Sequence, residues 1–390
     1  MEFRFPLRQH VGAPCKPLVV EAQEVKRGEK IAEPNGLGAF IHSSINGVVK
    51  MVNENEIIIE GEEDQPKEYV PIKDTDDPLE AIKEAGIVGA GGAGFPTHVK
   101  LNTKIPGGYA IINAAECEPI LGHNVHYLEE NAEKILRGLK IIMEITEATH
   151  GIIAIKAKHR KAIDVLKKLI GDDNIDIKYL TDLYPSGDER VVIRELLGIE
   201  LKPGQLPGEV NIVVQNVETA KNIALAVDDR KPVIDKDVTI GGRVKNAREG
   251  KTFMDVPIGY PVIRLIEKAG GYVKPYGEIV LGGPFTGKHG NEEDPVVKTL
   301  GGILVAMPFP KDERKFGILA CECGAQEDRL REVAEAMGGE VVAEEKCKRM
   351  VEVNGRYRCE LPGICPGQAQ TIMSLRKKGA QVILTGSCGD

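Results

Sequence analysis

The chain has 390 residues, of which 42% are hydrophobic and 28% charged, with no Trp and with 51 basic against 59 acidic side chains. That length exceeds a single hydrophobic core and predicts two to four domains. No apolar run approaches the roughly 18 residues of a transmembrane helix, MEFRFPLRQH lacks a signal-peptide core, and no basic stripe is present. Membrane-spanning, secreted and nucleic-acid-binding classes are therefore disfavoured, and a cytoplasmic location is expected.

Residues 1–78 hold the short β runs PLVVEA, GAFIHSSINGVVKMV and NEIIIEG, broken by Gly, Pro and Asn, which predicts a small all-β, barrel-sandwich-like domain. Lys50 falls inside a run, not at a hairpin tip, so it is expected to be structural and not a carrier lysine. GEEDQPKEYVPIKDTDD reads as a linker. From 79 to 235 the runs GGYAIINAA, HGIIAIKAK, DIKYLTDL and EVNIVVQN alternate with VHYLEENAEKILRGLKIIMEIT and RKAIDVLKKLIG, whose apolar residues recur at helical spacing. Such alternation predicts a largely parallel sheet covered by helices, a Rossmann-like α/β domain. From 236 to 312, VTIGGRV, GEIVLGGPFTG and GILVAMPF with the helix YPVIRLIEKAGG form a small α+β unit. Residues 313–390 read as a compact βαβ-like segment. The fold class is thus α/β with a leading all-β domain.

Gly89, Gly91 and Gly94 satisfy G-x-G-x-x-G, which alone is weak. A dinucleotide fingerprint needs a strand before the loop, whereas DPLEAIKEAGIV reads as helical and Pro96 follows at once. The loop can still bring backbone N–H groups to a phosphate or a flat ring; a flexible interdomain turn is the bland alternative. Polar clusters at strand ends favour a ligand: Asn113 and Glu116 after GGYAII, Tyr184, Gly187, Asp188 and Glu189 after DIKYLTDL, and Asn216, Glu218 and Thr219 after EVNIVV. Ligands of open α/β sheets bind beyond the carboxyl ends of the strands, where these clusters should meet. Each separately could be helix capping. Ser186 has no triad context, and His123 with His126 lacks a further metal ligand.

At these residues the chain resembles a known family. GAGGAGFPTHVKL and INAAECEP are similar to the RnfC proteins and to the NADH-binding flavin subunit of respiratory complex I. YPSGDE and QNVETA resemble that subunit's later flavin segments, and LRQHVGAPCKP, INGVV, VTIGGRV and GGPFTG extend the likeness over roughly residues 1–310. The resemblance implies an FMN site. Gly89, Gly91 and Gly92 would lie against the flavin, Lys100 in the loop's polar arm, and Asn113, Glu116, Tyr184, Gly187, Glu189, Asn216 and Thr219 on the ring, ribityl or phosphate groups. Glu118 would lie near the nicotinamide of NAD(H), although Ala115 stands where the complex I subunit has an acidic residue. It also implies an SLBB-like β-grasp domain at 236–312. The protein's part in hydride transfer is positioning and tuning, so no catalytic base is expected.

Cys321, Cys323, Cys347, Cys359, Cys365 and Cys388 all lie in the last 70 residues. In an intracellular chain this predicts a metal or redox site, not a disulfide framework. The C-x2-C-x2-C-x3-C-P ferredoxin run found in ordinary RnfC proteins is absent. Cys321 and Cys323 are expected to end a strand and open a helix whose dipole lowers a thiol pKa, with Cys388 ending a neighbouring strand. The segment resembles the small iron–sulfur domain of heterodisulfide-reductase-associated hydrogenase subunits. A [2Fe–2S] cluster, an exchanging dithiol and a structural zinc are the three readings. An RnfC-like body without ferredoxin runs is also similar to electron-transfer proteins serving D-proline reductase. The expected function is electron transfer from NADH through FMN to the cysteine segment and on to a partner reductase within a hetero-complex, D-proline reductase being suspected. An Rnf-type membrane complex, a cobalamin reductase and a flavin-free scaffold subunit are the alternatives.

Overall fold

The computed structural model describes residues 1–92, 94–171 and 174–386. Two antiparallel sheets occupy residues 2–60. One joins Glu2–Pro6, Glu56–Glu60, Gly47–Val52 and Glu24–Val25 in that order, and the other joins Lys16–Pro17, Lys30–Glu33 and Ile41–His42. Successive strand residues point to opposite faces, so EFRFP sends Phe3 and Phe5 inward, where both are fully buried opposite Ile59 and Ile57. Lys50 is exposed on Gly47–Val52 and bonds Glu2, as a structural lysine would.

The site-bearing layer is a four-stranded parallel sheet in the order Ile175–Leu180, His150–Lys156, Tyr109–Ala114, Ile212–Asn216. All four carboxyl ends therefore share one edge, and the register sets Asn216 beside Asn113. The helix His123–Thr146 covers one face, interrupted at Asn131 by a non-helical φ of −137°. Leu128, Ile135, Leu139 and Ile142 lie along its buried stripe, each contributing about 2 kcal/mol of burial. A Cβ on Gly138 would sit 2.2 Å from the Ala220 carbonyl oxygen, so only glycine lets this helix cross Val217–Asp228 so closely. The glycine loop lies between the helix Pro78–Glu84, capped by Asp77, and the helix Thr97–Leu101. No strand feeds it, as expected from the helical spacing of DPLEAIKEAG.

A five-stranded mixed sheet follows, in the order Lys251–Pro257, Asp235–Gly242, Gly302–Val305, Ile279–Leu281, Lys288–Gly290, with the helix Val262–Lys268. The sequence reading missed Lys251–Pro257. KTFMDVP is a half-exposed edge strand, so burial imposes no clean alternation on it. In the tail, Glu340–Lys346, Lys315–Ala320 and Val382–Thr385 form a parallel sheet beside the hairpin of Met350–Val353 and Arg356–Cys359. The helices Glu327–Met337 and Ala369–Lys377 complete it. Among the described residues no helix is long and apolar enough to cross a membrane.

Lys298 ties three of these layers together. Its ammonium group, within a side chain only 2% exposed, donates to the carbonyl of Phe40 at 2.5 Å and to that of Gly86, just before the glycine loop, at 2.7 Å. Burial without a carboxylate lowers its pKa to about 7. Between that value and the ordinary lysine value the unfolded chain binds a proton that the folded chain does not. The lysine's contribution to stability is thus present above the ordinary value and is lost as pH falls through about 7. Lys298→Met should strand two buried carbonyls, cost about 2–3 kcal/mol, and flatten the rise of melting temperature with pH above 7. Thermal melts of both proteins from neutral to alkaline pH test this; parallel curves would refute it.

Candidate functional site

The loop and the strand ends meet at the carboxyl edge of the parallel sheet. The backbone N–H of Ala90 donates to Thr219 Oγ1 at 3.0 Å, fixing the glycine loop to the helix Val217–Asp228. Asn216 caps that helix, its Oδ1 accepting from the Glu218 N–H at 2.8 Å, and turns its amide toward Gly91, where a Cβ would lie 2.8 Å from Nδ2. Around Gly92 the protein leaves open space: a Cβ there would meet nothing within 4 Å, and Gly89 is nearly as free. Asn113 reaches across to the next cluster, donating to the Gly187 carbonyl at 2.8 Å, and Gly187 packs against Cys117. Lys100 pairs with Glu189 at 2.6 Å, and Asp188 caps the helix Glu189–Leu197. Ten of the twelve expected flavin and nicotinamide residues thus belong to one rim; Glu118 and Tyr184 stand at its side.

Glu116 is the most unusual residue on the rim. It has φ +41°, uncommon for a side-chain-bearing residue. One of its carboxylate oxygens accepts from Asn124, while Oε2 is buried without any partner. Burial raises its pKa, and the Asn124 bond and the Lys236 charge only partly oppose this. Ser186 Oγ is likewise buried and unpartnered, as is Asn124 Oδ1. Buried polar atoms left unbonded are costly. Together with the open space at Gly92, they are what a rim built around a polar, flat cofactor such as FMN leaves behind, and the residues present fit that group.

Glu118 is committed elsewhere. Its carboxylate accepts from the backbone N–H groups of Phe285 and Thr286 at 2.9 and 3.1 Å and from the Thr286 hydroxyl, pinning the 283–286 loop of the five-stranded sheet to the rim. The Phe285 ring meets Tyr184 edge-on at 4.5 Å. Burial first, then the charges of Glu118, Cys117 and Cys323, push the Tyr184 phenol well above its ordinary value. Phe285, Ser186, Asn124 and Cys117 were not among the predicted site residues. Phe285, Ser186 and Cys117 were within reach, since they sit in the quoted GGPFTG, YPSGDE and INAAECEP; Asn124 carries no local signal.

The cysteines divide into two groups. Cys323 hydrogen-bonds with the thiols of Cys321 and Cys359, and Cys347 and Cys365 flank Gln368, whose Nε2 lies 2.9 and 3.9 Å from their sulfurs. Cys388 lies outside the described residues. Among the described residues no group of three or more His, Cys, Asp or Glu is arranged to hold a metal ion. The expected thiol acidification is corrected at Cys323. The helix begins at Glu327 with Gln326 as its cap, so Cys321 and Cys323 sit in the turn before it, away from its positive end. The bond with Cys321 and burial push the Cys323 thiol up to about 11.

The hairpin that carries Cys359 is seated against this rim. Arg190, next to Glu189, donates to the carbonyls of Cys359 at 2.6 Å and Glu360 at 2.8 Å, and Arg194 to that of Pro362 at 2.9 Å. These charge-assisted bonds hold the cysteine hairpin against the helix that carries the YPSGDE cluster.

Residues 82–225 match the family model of the Nuo51 FMN-binding domain, and residues 1–73 that of the RnfC barrel sandwich hybrid domain. The chain is 34% identical to a subunit of the Na(+)-translocating ferredoxin:NAD(+) oxidoreductase complex of Acetobacterium woodii, the match covering 77% of this chain and 72% of that one. It is 35% identical to the proton-translocating counterpart of Clostridium ljungdahlii, over 77% and 69%. Cobalamin reductase PduS of Salmonella typhimurium is 40% identical over 59% of this chain and half of its own. Among solved structures, an NAD+-reducing [NiFe]-hydrogenase in its H2-reduced state shares the fold at 22% identity, with a TM-score of 0.50 over 59% of this chain and 47% of that one.

Proposed function

The chain belongs to the RnfC family, and from that premise we propose that it exchanges hydride with NAD(H) at an FMN site and relays electrons through the cysteine tail to a partner complex. The relatives cited belong to ferredoxin:NAD(+) oxidoreductase complexes or are a cobalamin reductase. They favour an Rnf-type or cobalamin-reductase-like assembly. None of them names D-proline reductase, so that partner stands behind these two. The five-stranded sheet is read as the SLBB-like β-grasp unit and the tail as a separate redox unit.

The observation that carries the proposal is the unpartnered Glu116 carboxylate oxygen beside the open glycine loop. When bound, FMN supplies the switch between two-electron hydride chemistry and the carriers that follow. Gly91 and Gly92 let the backbone approach a flat ring, and Asn113, Gly187, Asn216 and Thr219 hold the strand ends in register around it. Lys100, paired with Glu189, supplies a cation at the polar end. Glu116, whose carboxyl holds its proton to higher pH than an ordinary glutamic acid, offers a donor when protonated. Glu118 fixes the flanking loop, which would border the nicotinamide.

Glu116→Ala should weaken FMN binding by about ten- to a hundredfold, as for a lost bond in a desolvated site. Glu116→Gln, which keeps a neutral donor, should retain most of it. FMN affinity of the unaltered protein should fall as pH rises through the raised Glu116 pKa, and that of the Gln variant should not. Flavin content after gel filtration, with anaerobic flavin bleaching by NADH, reads both. Unchanged flavin content and unchanged bleaching in Glu116→Ala would sink the assignment.

A further inference from the structure

A cavity of about 870 Å3 lies between the five-stranded sheet and the tail. Its size falls in the range of small-molecule pockets, roughly 300–1,000 Å3. One wall is cationic. Arg243, Lys245 and Arg248 stand on the short connection between the strands Asp235–Gly242 and Lys251–Pro257, and among the described residues none has a carboxylate partner. The Arg243 guanidinium donates only to the carbonyls of Val273, Lys274 and Pro275, which holds it in place and leaves its charge uncompensated. Glu278, the carboxylate on the wall, is already neutralised by Arg329 and His289. The apolar part of the lining comprises Leu330 and Val333 of the helix Glu327–Met337, with Leu304 and Phe309.

Three clustered cations match several adjacent negative charges better than one carboxylate. The apolar part of the lining is short, with the half-buried glycines Gly242, Gly287 and Gly386 also on the cavity surface, which suits a flat ring better than an alkyl chain. We propose that this cavity binds a nucleoside di- or triphosphate, with phosphates on the 243–248 segment and base against the tail helix. The site adjoins, through Pro284 and Phe285, the loop that would border the nicotinamide. Phe285 lines the cavity and touches Tyr184. An occupant that spans sheet and tail therefore abuts the residues joining flavin rim and cysteines.

The test is calorimetric titration of the full chain with ADP at low ionic strength, in flavin-loaded and flavin-stripped forms, with adenosine and inorganic pyrophosphate as comparison probes. Saturable ADP binding in both forms, stronger than either probe and reduced about tenfold or more by the exposed double variant Lys245→Glu, Arg248→Glu, is expected. That variant should leave flavin content and NADH-driven bleaching unchanged. Absence of ADP binding would overturn the proposal, as would binding that the double variant does not weaken. Pyrophosphate binding as tightly as ADP would remove the role of the apolar lining and overturn the nucleoside class. Displacement of ADP by stoichiometric NADH would assign the binding to the flavin site instead. Because the flavin-stripped form is measured too, failure here is distinguishable from failure of the FMN assignment.

Discussion

Replacing Gly92 by Val is expected to strip the flavin from the chain while leaving its melting temperature unchanged. Among the described residues no atom beyond its chain neighbours lies within 4 Å of a Cβ at this position, and the backbone there is not in the left-handed region. A side chain is therefore tolerated by the fold and opposed only by whatever occupies the open space. Forcing a branched side chain against a bound flat ring costs about 3 kcal/mol, roughly a hundredfold in affinity. Gly91 does not give so clean a test. A Cβ there would press on Asn216 Nδ2 at 2.8 Å and disturb the cap of Val217–Asp228, so loss of flavin in Gly91→Val would mix steric exclusion with a displaced helix. Stoichiometric flavin in purified Gly92→Val, at unchanged thermal stability, would place the ring elsewhere.

Substituting Cys323 or Cys359 by Ser should leave NADH-driven flavin bleaching intact and abolish electron arrival in the tail. The two thiols hydrogen-bond to each other, Arg190 holds the Cys359 carbonyl against the rim helix, and Cys323 lies near Tyr184. As a couple, the oxidised form carries one sulfur–sulfur bond. Its reduction takes two electrons and two protons and returns two thiols, which burial and mutual bonding keep protonated near neutrality. Anaerobic NADH should therefore generate two alkylatable thiols at Cys323 and Cys359 in the oxidised, flavin-loaded protein, mapped by mass spectrometry, and none in either Ser variant. Iron with acid-labile sulfide in the purified protein, lost with these cysteines, would replace the dithiol by a cluster completed outside the described residues. Tightly held zinc with full electron transfer in both variants would leave the tail structural. Arg190 and Arg194 make Cys359–Gly363 part of the rim's surroundings, so point substitutions separate the two functions more cleanly than removal of the tail.

What the sequence determined by itself was whatever a local pattern encodes. Strand runs such as GGYAIINAA and helical stripes such as that of His123–Thr146 follow from apolar periodicity, and they fell where the spacing put them. The gathering of polar residues at strand ends followed from the rule that parallel strands open their sites on one edge. The helix ahead of the glycine loop was legible as well, in the Asp-Pro start and the spacing of DPLEAIKEAG. Only tertiary structure decided the rest, because it depends on approaches between residues far apart in the chain. Glu118 is drawn away to the N–H groups of Phe285 and Thr286, 167 and 168 residues on. Cys321 and Cys323 miss the helix terminus that Cys-x-Cys-Gly suggested, since Gln326 and not the cysteine turn caps it. The cysteine hairpin reaches the rim of the candidate site through Arg190, a residue with no distinguishing local pattern, whose partners lie 169 and 170 positions away. Periodicity reports which face of an element is buried. It carries no record of which distant carbonyl a guanidinium will find, and that pairing is what joins the two halves of the proposed electron path.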